Sequence, residues 1–441
     1  MNRQSRVYFI FAATLPLFAF ACFFASRSLS AAGTGTSILI AVCLAVLAFA
    51  AVSSIFADGR DVEPAIFFPI LAAVYVLLVL RVLCFDHETG DYVTFLKPWT
   101  EHFRQNGGFA ALSESIGNYN IPYLTFLALF SYIPVSELYL IKLLSVGFDL
   151  LLAAAAAKLV LLATGSDRRK LFAFAAALLL PTVFLNGAYW GQCDSIYGGL
   201  ALLSVYFILS DRPWLSMAAL ALSFSFKLQA VFILPLFFVF LLAGRLKLRH
   251  LPIFPAVYIA AVSPALIAGR PLLDTLLLYV SQGGTVGSAL NYNSPSVYSL
   301  FRYVSDPASA AKAGIICAFA FCALMFVFLF LCRKRLNNTA YILAALAFSL
   351  AIPLLLPHMH DRYFFLADVL SLVAAFCVPG IAWCAPLTAF ASLLGYHAYL
   401  RGTFFMPMSR GFWALAIVLL STLAALALRV LPARDKSRKR R

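Results

Sequence analysis

Charge is the scarcest feature of this sequence. Only 12% of its 441 residues are Asp, Glu, Lys or Arg, while 63% are hydrophobic. So few charges cannot cover a water-facing surface, which excludes a soluble globular protein. The nine cysteines stand singly, mostly inside apolar runs, with no CxxC or zinc-type spacing. They read as small core hydrophobes. Period-2 alternation is missing, which excludes a membrane barrel. No internal repeat and no soluble domain is visible, so the inverted-repeat pattern of many transporters has no support. The net charge of +15 is not a nucleic-acid signal. Its basic residues sit in short loops and in the tail "RDKSRKRR", as cytoplasmic loops of membrane proteins require. That tail is expected to lie against anionic headgroups.

What the chain has in abundance is apolar runs of membrane-spanning length, roughly 20 residues each. They fall at about 7–26, 36–56, 65–85, 136–164, 171–188, 195–210, 213–226, 228–243, 251–269, 313–332, 338–357, 363–378, 381–399 and 411–431. The expectation is an all-α polytopic membrane protein with about 14 spans, because helices satisfy their own backbone groups in lipid. Residues 1–431 would form one transmembrane domain and 432–441 a cytoplasmic tail. The first run follows Arg3 and Arg6 but is read as a span, since no small-residue cleavage site is evident. Counting from a cytoplasmic N-terminus puts "SDRRK" (166–170), "GRLKLRH" (244–250), "RKR" (333–335) and the tail inside. The acidic "DGRDVE" (58–63) also falls inside, as a mild exception. "IPYLTFLALFSYIP" (121–134) is too short to cross and reads as an interfacial or re-entrant helix within an external segment, 86–135.

The unusual polar clusters all fall at outer span ends. Loop 86–120 carries Asp86, His87, Glu88, Asp91, Lys97, Trp99 and Glu101, with aromatics and amides suited to carbohydrate. Asp91 follows a glycine at the start of an expected helix, 91–104, so an N-cap is its plain structural alternative. "NGAYWGQCDSIYGG" (186–199) supplies Trp190, Gln192 and Asp194 as a polar wall, with glycines that permit close backbone approach. There too an N-cap role for Asp194 is the alternative. Lys227 beside Gln229 either snorkels to the interface or meets a fixed anion. "NYNSPSVYSLFRY" (291–303) offers Tyr292, Asn293 and Arg302, half of it ordinary loop chemistry. "PHMHDRYF" (357–364) crowds His358, His360, Asp361 and Arg362 together. A metal lacks a third ligand there. An anion site fits better, with Asp361 fixing a tautomer or pairing with Arg362.

A carboxylate on an outer loop, cations at headgroup depth and aromatics between them suit a lipid-linked phosphosugar. Glycosyl transfer needs a carboxylate to take the acceptor proton and fixed positive charge for the departing phosphate. One base without a covalent intermediate implies inversion at the anomeric carbon. The motifs themselves resemble the GT-C superfamily of polyprenyl-phosphate-sugar-dependent glycosyltransferases. "GDYVTFLKPWTEHF" (90–103), with Gly90, Asp91, Tyr92, Trp99 and Glu101, looks like the first external loop motif of the glucosyltransferases that extend the lipid-linked N-glycan precursor. "YWGQCDSIYGG" is also similar to bacterial proteins related to the second mannosyltransferase of GPI-anchor synthesis. "HMHDRYFF" resembles the late His-x-His-acidic-basic motif.

The resemblance implies a GT-C-like bundle with Asp91 as catalytic base, Asp86 being the other candidate. It implies His360, with Arg362, Lys227 and His358, at the donor phosphate. Asp86, Trp99, Glu101, Trp190, Gln192, Asp194, Gln229, Tyr292 and Asn293 would line the substrate. The donor is the only small-molecule requirement; no metal or other cofactor is expected. The partners would be the polyprenyl-phosphate sugar (mannose or glucose), a cell-envelope glycan or glycolipid acceptor, and membrane lipids, with no nucleic acid. The cell membrane would hold the chain with both termini cytoplasmic and the site outside. Two other classes stay open. One is a lipid-diphosphate-dependent polymerase or ligase, for which Arg302, Arg362, Arg401 and Arg410 speak. The other is a lipid-linked sugar transporter or flippase, which needs polar residues at mid-membrane.

Overall fold

A computed structural model describes residues 3–57, 63–282 and 287–431. The chain is an all-α, multi-pass membrane bundle. Each apolar run is helical. In chain order the helices are α1 (Arg3–Ser28), α2 (Thr34–Ala57), α3 (Pro64–Val82), α4 (Lys97–Gln105), α5 (Ile121–Phe130), α6 (Glu137–Thr164), α7 (Asp167–Leu179) and α8 (Pro181–Phe184). Then come α9 (Asp194–Leu209), α10 (Pro213–Phe226), α11 (Leu234–Leu242), α12 (Ile253–Ile267), α13 (Leu272–Leu276) and α14 (Leu278–Gln282). The last are α15 (Pro307–Leu331), α16 (Asn338–Leu355), α17 (Phe365–Cys377), α18 (Cys384–Arg401) and α19 (Met408–Val430). Among the described residues eight helices are long and apolar enough to cross a membrane, or nine if the bent pair 167–179 and 181–190 is one span. The count by length is thus below the expected 14. The other apolar runs form shorter helices: α9 has 16 residues, α10 14 and α17 13.

At about 1.5 Å per residue a 14-residue helix is about 21 Å long, against roughly 30 Å of hydrocarbon. These helices therefore end inside the bundle and sink their polar termini below its surface. Helix α6 measures the depth. Glu137 in its first turn accepts from Tyr92 at 2.9 Å, and Ser145 donates to the Gln192 carbonyl at 2.8 Å. Those positions differ by about 12 Å along the axis. The ring of neighbours around α6 includes α2, α7, α9 and α17. Its run Ala153–Ala157 is buried and lets neighbours approach closely. Gly199 of α9 is the counterpart: a Cβ there would lie 3.3 Å from the Leu152 backbone. Gly395 of α18 does the same for the loops, since a Cβ would meet the Asn293 and Asp361 carbonyls at 2.8 Å.

The far end of the bundle gathers the basic loops. Lys158 Nζ and Lys170 Nζ donate to the Ser54 and Ile55 carbonyls at 2.8 and 3.1 Å. Arg169 reaches the Phe376 carbonyl at 3.2 Å and Arg335 the Val430 carbonyl at 3.3 Å. The tail 432–441 and most of the acidic loop, 58–62, lie outside the described residues. Helix α5, ten residues long, is buried mainly against the loop that holds α4, capped by the Asn120 side chain on Ile121 N at 2.8 Å.

The expectation that spans carry little polarity needs correction. Arg81 of α3 and Asp149 of α6 are both fully buried and paired, Nε to Oδ2, at 3.1 Å. Arg81 also donates to the Leu178 carbonyl at 2.7 Å, and Ser195 donates to Asp149 Oδ1 at 2.5 Å. Asp368 of α17 is fully buried too and accepts from Ser392 at 2.9 Å. Such single residues are invisible to a hydropathy window dominated by their neighbours. Removing one partner of a buried pair strands the other, which costs about 3–5 kcal/mol. Asp149→Ala should therefore lower the melting temperature of the detergent-solubilised protein strongly. The double variant Arg81→Met/Asp149→Leu should recover most of that loss in the same thermal scan.

Candidate active site

Two π-helical turns meet at the recessed end. One, Tyr92–Leu96, follows Asp91; the other, Leu185–Trp190, ends at Gly191 in the left-handed region, φ +78°. Such turns re-aim side chains at working sites. Thr89 Oγ1 donates to the Trp190 carbonyl at 3.1 Å and ties the two together. Between them Asp91 is 8% exposed. Its Oδ2 accepts from Trp190 Nε1 at 2.9 Å and from Gln192 Nε2 at 2.6 Å. Its Oδ1 accepts from the Tyr399 hydroxyl, which comes from the last turn of α18. The carboxylate caps no helix, and its backbone is already helical, φ −61° and ψ −40°. The N-cap reading of Asp91 is overturned.

Asp194 opens α9 yet caps nothing either. Its Oδ2 accepts from Asn186 at 2.7 Å, and its Oδ1 accepts from Lys227 Nζ. Lys227 is 8% exposed, so it does not snorkel; Asp194 is its fixed anion. Arg362 stands between the acids. It lies 3.7 Å from Asp91 Oδ2, 3.5 Å from Asp194 Oδ2 and 3.6 Å from Asp361 Oδ1, with its guanidinium 5.1 Å over the Trp190 ring. None of these is a full hydrogen bond: Arg362 Nε faces Asp194 Oδ2 at 3.5 Å but has no hydrogen-bond partner among the described residues. Burial among Arg362's acidic neighbours pushes the Asp361 carboxyl up to about 7, and its Oδ1 is likewise without a hydrogen bond.

His360 is held by backbone pairing that alternation could not reveal, because each strand is two residues long. Asn291–Tyr292 pairs in parallel with Met359–His360. The register stacks the His360 ring on Tyr292, centroids 4.6 Å apart. Burial, with Arg362 and Lys227 nearby, lowers the His360 imidazole to about 4. It is therefore neutral near pH 7, a hydrogen-bonding group and not a cation. Asn293 joins by a single bridge to His360 at φ +57°.

The remaining candidates divide. Gln192 Oε1 accepts from Tyr119 at 3.1 Å, and Trp99 packs on Tyr119 with centroids 5.7 Å apart, so Trp99 buttresses the wall one residue back. Gln229 lies beside Tyr363. Others lie away from the cluster. Asp86 accepts from Ala31 N at 2.6 Å and from Tyr139, so it anchors the α1–α2 turn. Glu101 pairs with Arg104 at 2.5 Å on an exposed face. His358 turns away, its Nδ1 donating to the Ala289 carbonyl at 2.8 Å. Arg302, Arg401 and Arg410 are exposed and form no ion pair with the acids among the described residues, leaving Arg362 as the arginine at the centre.

Sequence reasoning missed Asn186, Tyr399 and Lys142. Tyr399 lies in an apolar helix far from the motifs, and only its place two residues before the exposed Arg401 hinted at a helix end. Lys142 Nζ holds the loop before Asp91 by the Cys84 and His87 carbonyls, both at 2.6 Å.

No protein-family model matches the chain, and no curated protein does so.

The two perturbed groups predict opposite pH effects. Asp361 binds a proton more readily folded than unfolded, so its contribution is present below pH 4 and lost as pH rises towards 7. His360 is the reverse: its depressed value makes the folded state lose ground as pH falls from about 6.5 to 4. Relative to wild type, Asp361→Asn should gain melting temperature between pH 5 and 8. His360→Gln should gain it in the other direction, from pH 8 to 5. Parallel trends for the two variants would contradict the assignments.

Proposed function

We propose that the chain is an inverting glycosyltransferase that moves a hexose from a polyprenyl-phosphate donor to a cell-envelope glycan or glycolipid acceptor. One observation carries this reading. A carboxylate from the first quarter of the chain and cations from two later segments share one recessed cluster: Asp91, Lys227 and Arg362. In the reaction the Asp91 carboxylate takes the proton of the acceptor hydroxyl as that oxygen attacks the anomeric carbon. Trp190 and Gln192 fix Oδ2, so Oδ1 is the oxygen that trades the Tyr399 hydroxyl for the substrate's. Tyr399 is the most accessible partner, 38% exposed. The free N–H of Arg362, with Lys227 behind it, stabilises the charge developing on the departing phosphate. Neutral His360 adds one hydrogen bond. The positive-inside rule then puts the basic end in the cytoplasm and this cluster outside.

A transporter is the second reading, favoured by the ion pair Arg81–Asp149 and by the 51° bend between α7 and Pro181–Trp190. That pair is sealed and saturated, which suits a scaffold better than a carried charge.

The test is transfer of radiolabel from a panel of polyprenyl-phosphate sugars in membranes. Asp91→Asn should cut turnover by about two to four orders of magnitude while leaving the melting temperature near wild type. Wild-type turnover in that variant would remove the base. Arg362→Lys keeps the charge that the three acids need and loses the planar fork. It should raise KM for the donor, whereas a change confined to the acceptor would sink the phosphate role.

A further inference from the structure

A cavity with polar and apolar walls lies away from Asp91, where α12 ends. It measures about 480 Å³ and is lined by Ser113, Ser115, Arg270, Asp274, Leu273 and Leu277, among others. Gly269, at φ +103°, turns the chain so that Arg270 points under the loop. Arg270 is 7% exposed. Its Nη1 donates to the Glu114 carbonyl at 3.1 Å and its Nη2 to Ser115 Oγ at 3.4 Å. No carboxylate lies within 4 Å of its guanidinium among the described residues. The Glu114 carboxylate is turned away onto His102 at 2.9 Å. Asp274 opposes its charge only from beyond ion-pair distance, and a buried charge held so loosely leaves room for an anion beside it.

Asp274, on the exposed side of α13, lines the same cavity. It would repel a dianion but welcome a cation a few ångströms from the Arg270 anion. The rim is apolar and uncovered: Leu273 is 67% exposed, Leu277 51% and Val280 73%. The hydroxyls complete the pattern. Ser115 Oγ accepts from Arg270 and keeps its hydrogen free to donate. Ser113 donates to the Ala110 carbonyl at 2.9 Å and keeps its lone pairs free to accept.

We propose that this cavity binds the headgroup of a phospholipid that carries both a phosphodiester and a primary ammonium, of the ethanolamine type. The phosphodiester oxygens sit on the unused N–H groups of Arg270 and on Ser115. The ammonium sits on Asp274 and Ser113. The acyl chains run over Leu273, Leu277 and Val280. The site does not depend on glycosyl transfer being the reaction.

The full chain, reconstituted with equal amounts of ethanolamine, choline and glycerol phospholipids and released for native mass spectrometry, should retain one ethanolamine phospholipid about tenfold above the others. Arg270→Gln should abolish retention of all three. Asp274→Asn, a change at an exposed side chain that leaves folding intact, should lose the ethanolamine preference and keep the glycerol phospholipid. Equal retention by the wild type, an unchanged preference in Asp274→Asn, or displacement of the lipid by millimolar inorganic phosphate would overturn the proposal.

Discussion

One guanidinium organises the recessed end of this protein. Arg362 stands 3.5–3.7 Å from three carboxylates that reach it from three segments: Asp91, Asp194 and Asp361. Without a cation there, three acids would face one another in a partly buried space, which the folded chain could not bear. Lys227 adds the second positive charge through Asp194. Three acids against two cations leave one negative charge in excess. The raised Asp361 carboxyl relieves that excess by holding its proton near neutrality. The resting cluster is thereby close to neutral, and in the proposed reaction an entering phosphodiester would meet Arg362 with hydrogen-bonding capacity to spare.

The fold makes room for this by shortening helices. A chain of full-length spans would put every polar turn at the membrane surface. Here α9 begins near Ser145, about 12 Å along α6 from its first turn, and Lys227 at the end of α10 reaches down to Asp194 there. The two π-helical turns and the left-handed Gly191 rotate Asp91 and Trp190 towards each other. The close α6–α9 contact at Gly199 keeps the floor narrow. Length, turn type and small residues thus act on one outcome, a polar cluster recessed within the bundle.

Much of this was legible in the residues alone. Apolar runs marked the long helices, because span length leaves a signal many residues wide. Lone polar groups between runs marked Asp91, Gln192, Asp194, Lys227 and Arg362, because charge beside so much Leu and Ala needs a reason. Roles that depend on direction were not legible. Asp86 and Asp91 are five residues apart in one loop, yet one faces Tyr139 and the α1–α2 turn while the other faces Trp190. Glu101 sits on the outward face of α4, and a composition-based reading cannot tell that face from the inward one. Tyr399 was hidden for the opposite reason. A tyrosine in an apolar helix is ordinary, and only the meeting of α18 with the first loop gives its hydroxyl a carboxylate to hold.

Two ion-paired arginines, Arg81 and Arg362, separate scaffold from working site. Arg81 spends its N–H groups on Asp149, Leu178 and Leu77, and Asp149's other oxygen is taken by Ser195. Every strong donor and acceptor there is used, so a ligand offers that pair nothing and its energy goes into holding α3, α6, α7 and α9 together. Arg362 has more acidic neighbours but makes ion pairs without hydrogen bonds, its Nε included. Charge neutrality is met while directional bonding is not. That mismatch is what an anion with several oxygens can resolve, since it supplies acceptors without requiring the carboxylates to leave. Because the unmet bonding lies at Arg362 and not at Arg81, chemistry is expected in the recessed cluster, and the charges buried among the spans are its frame.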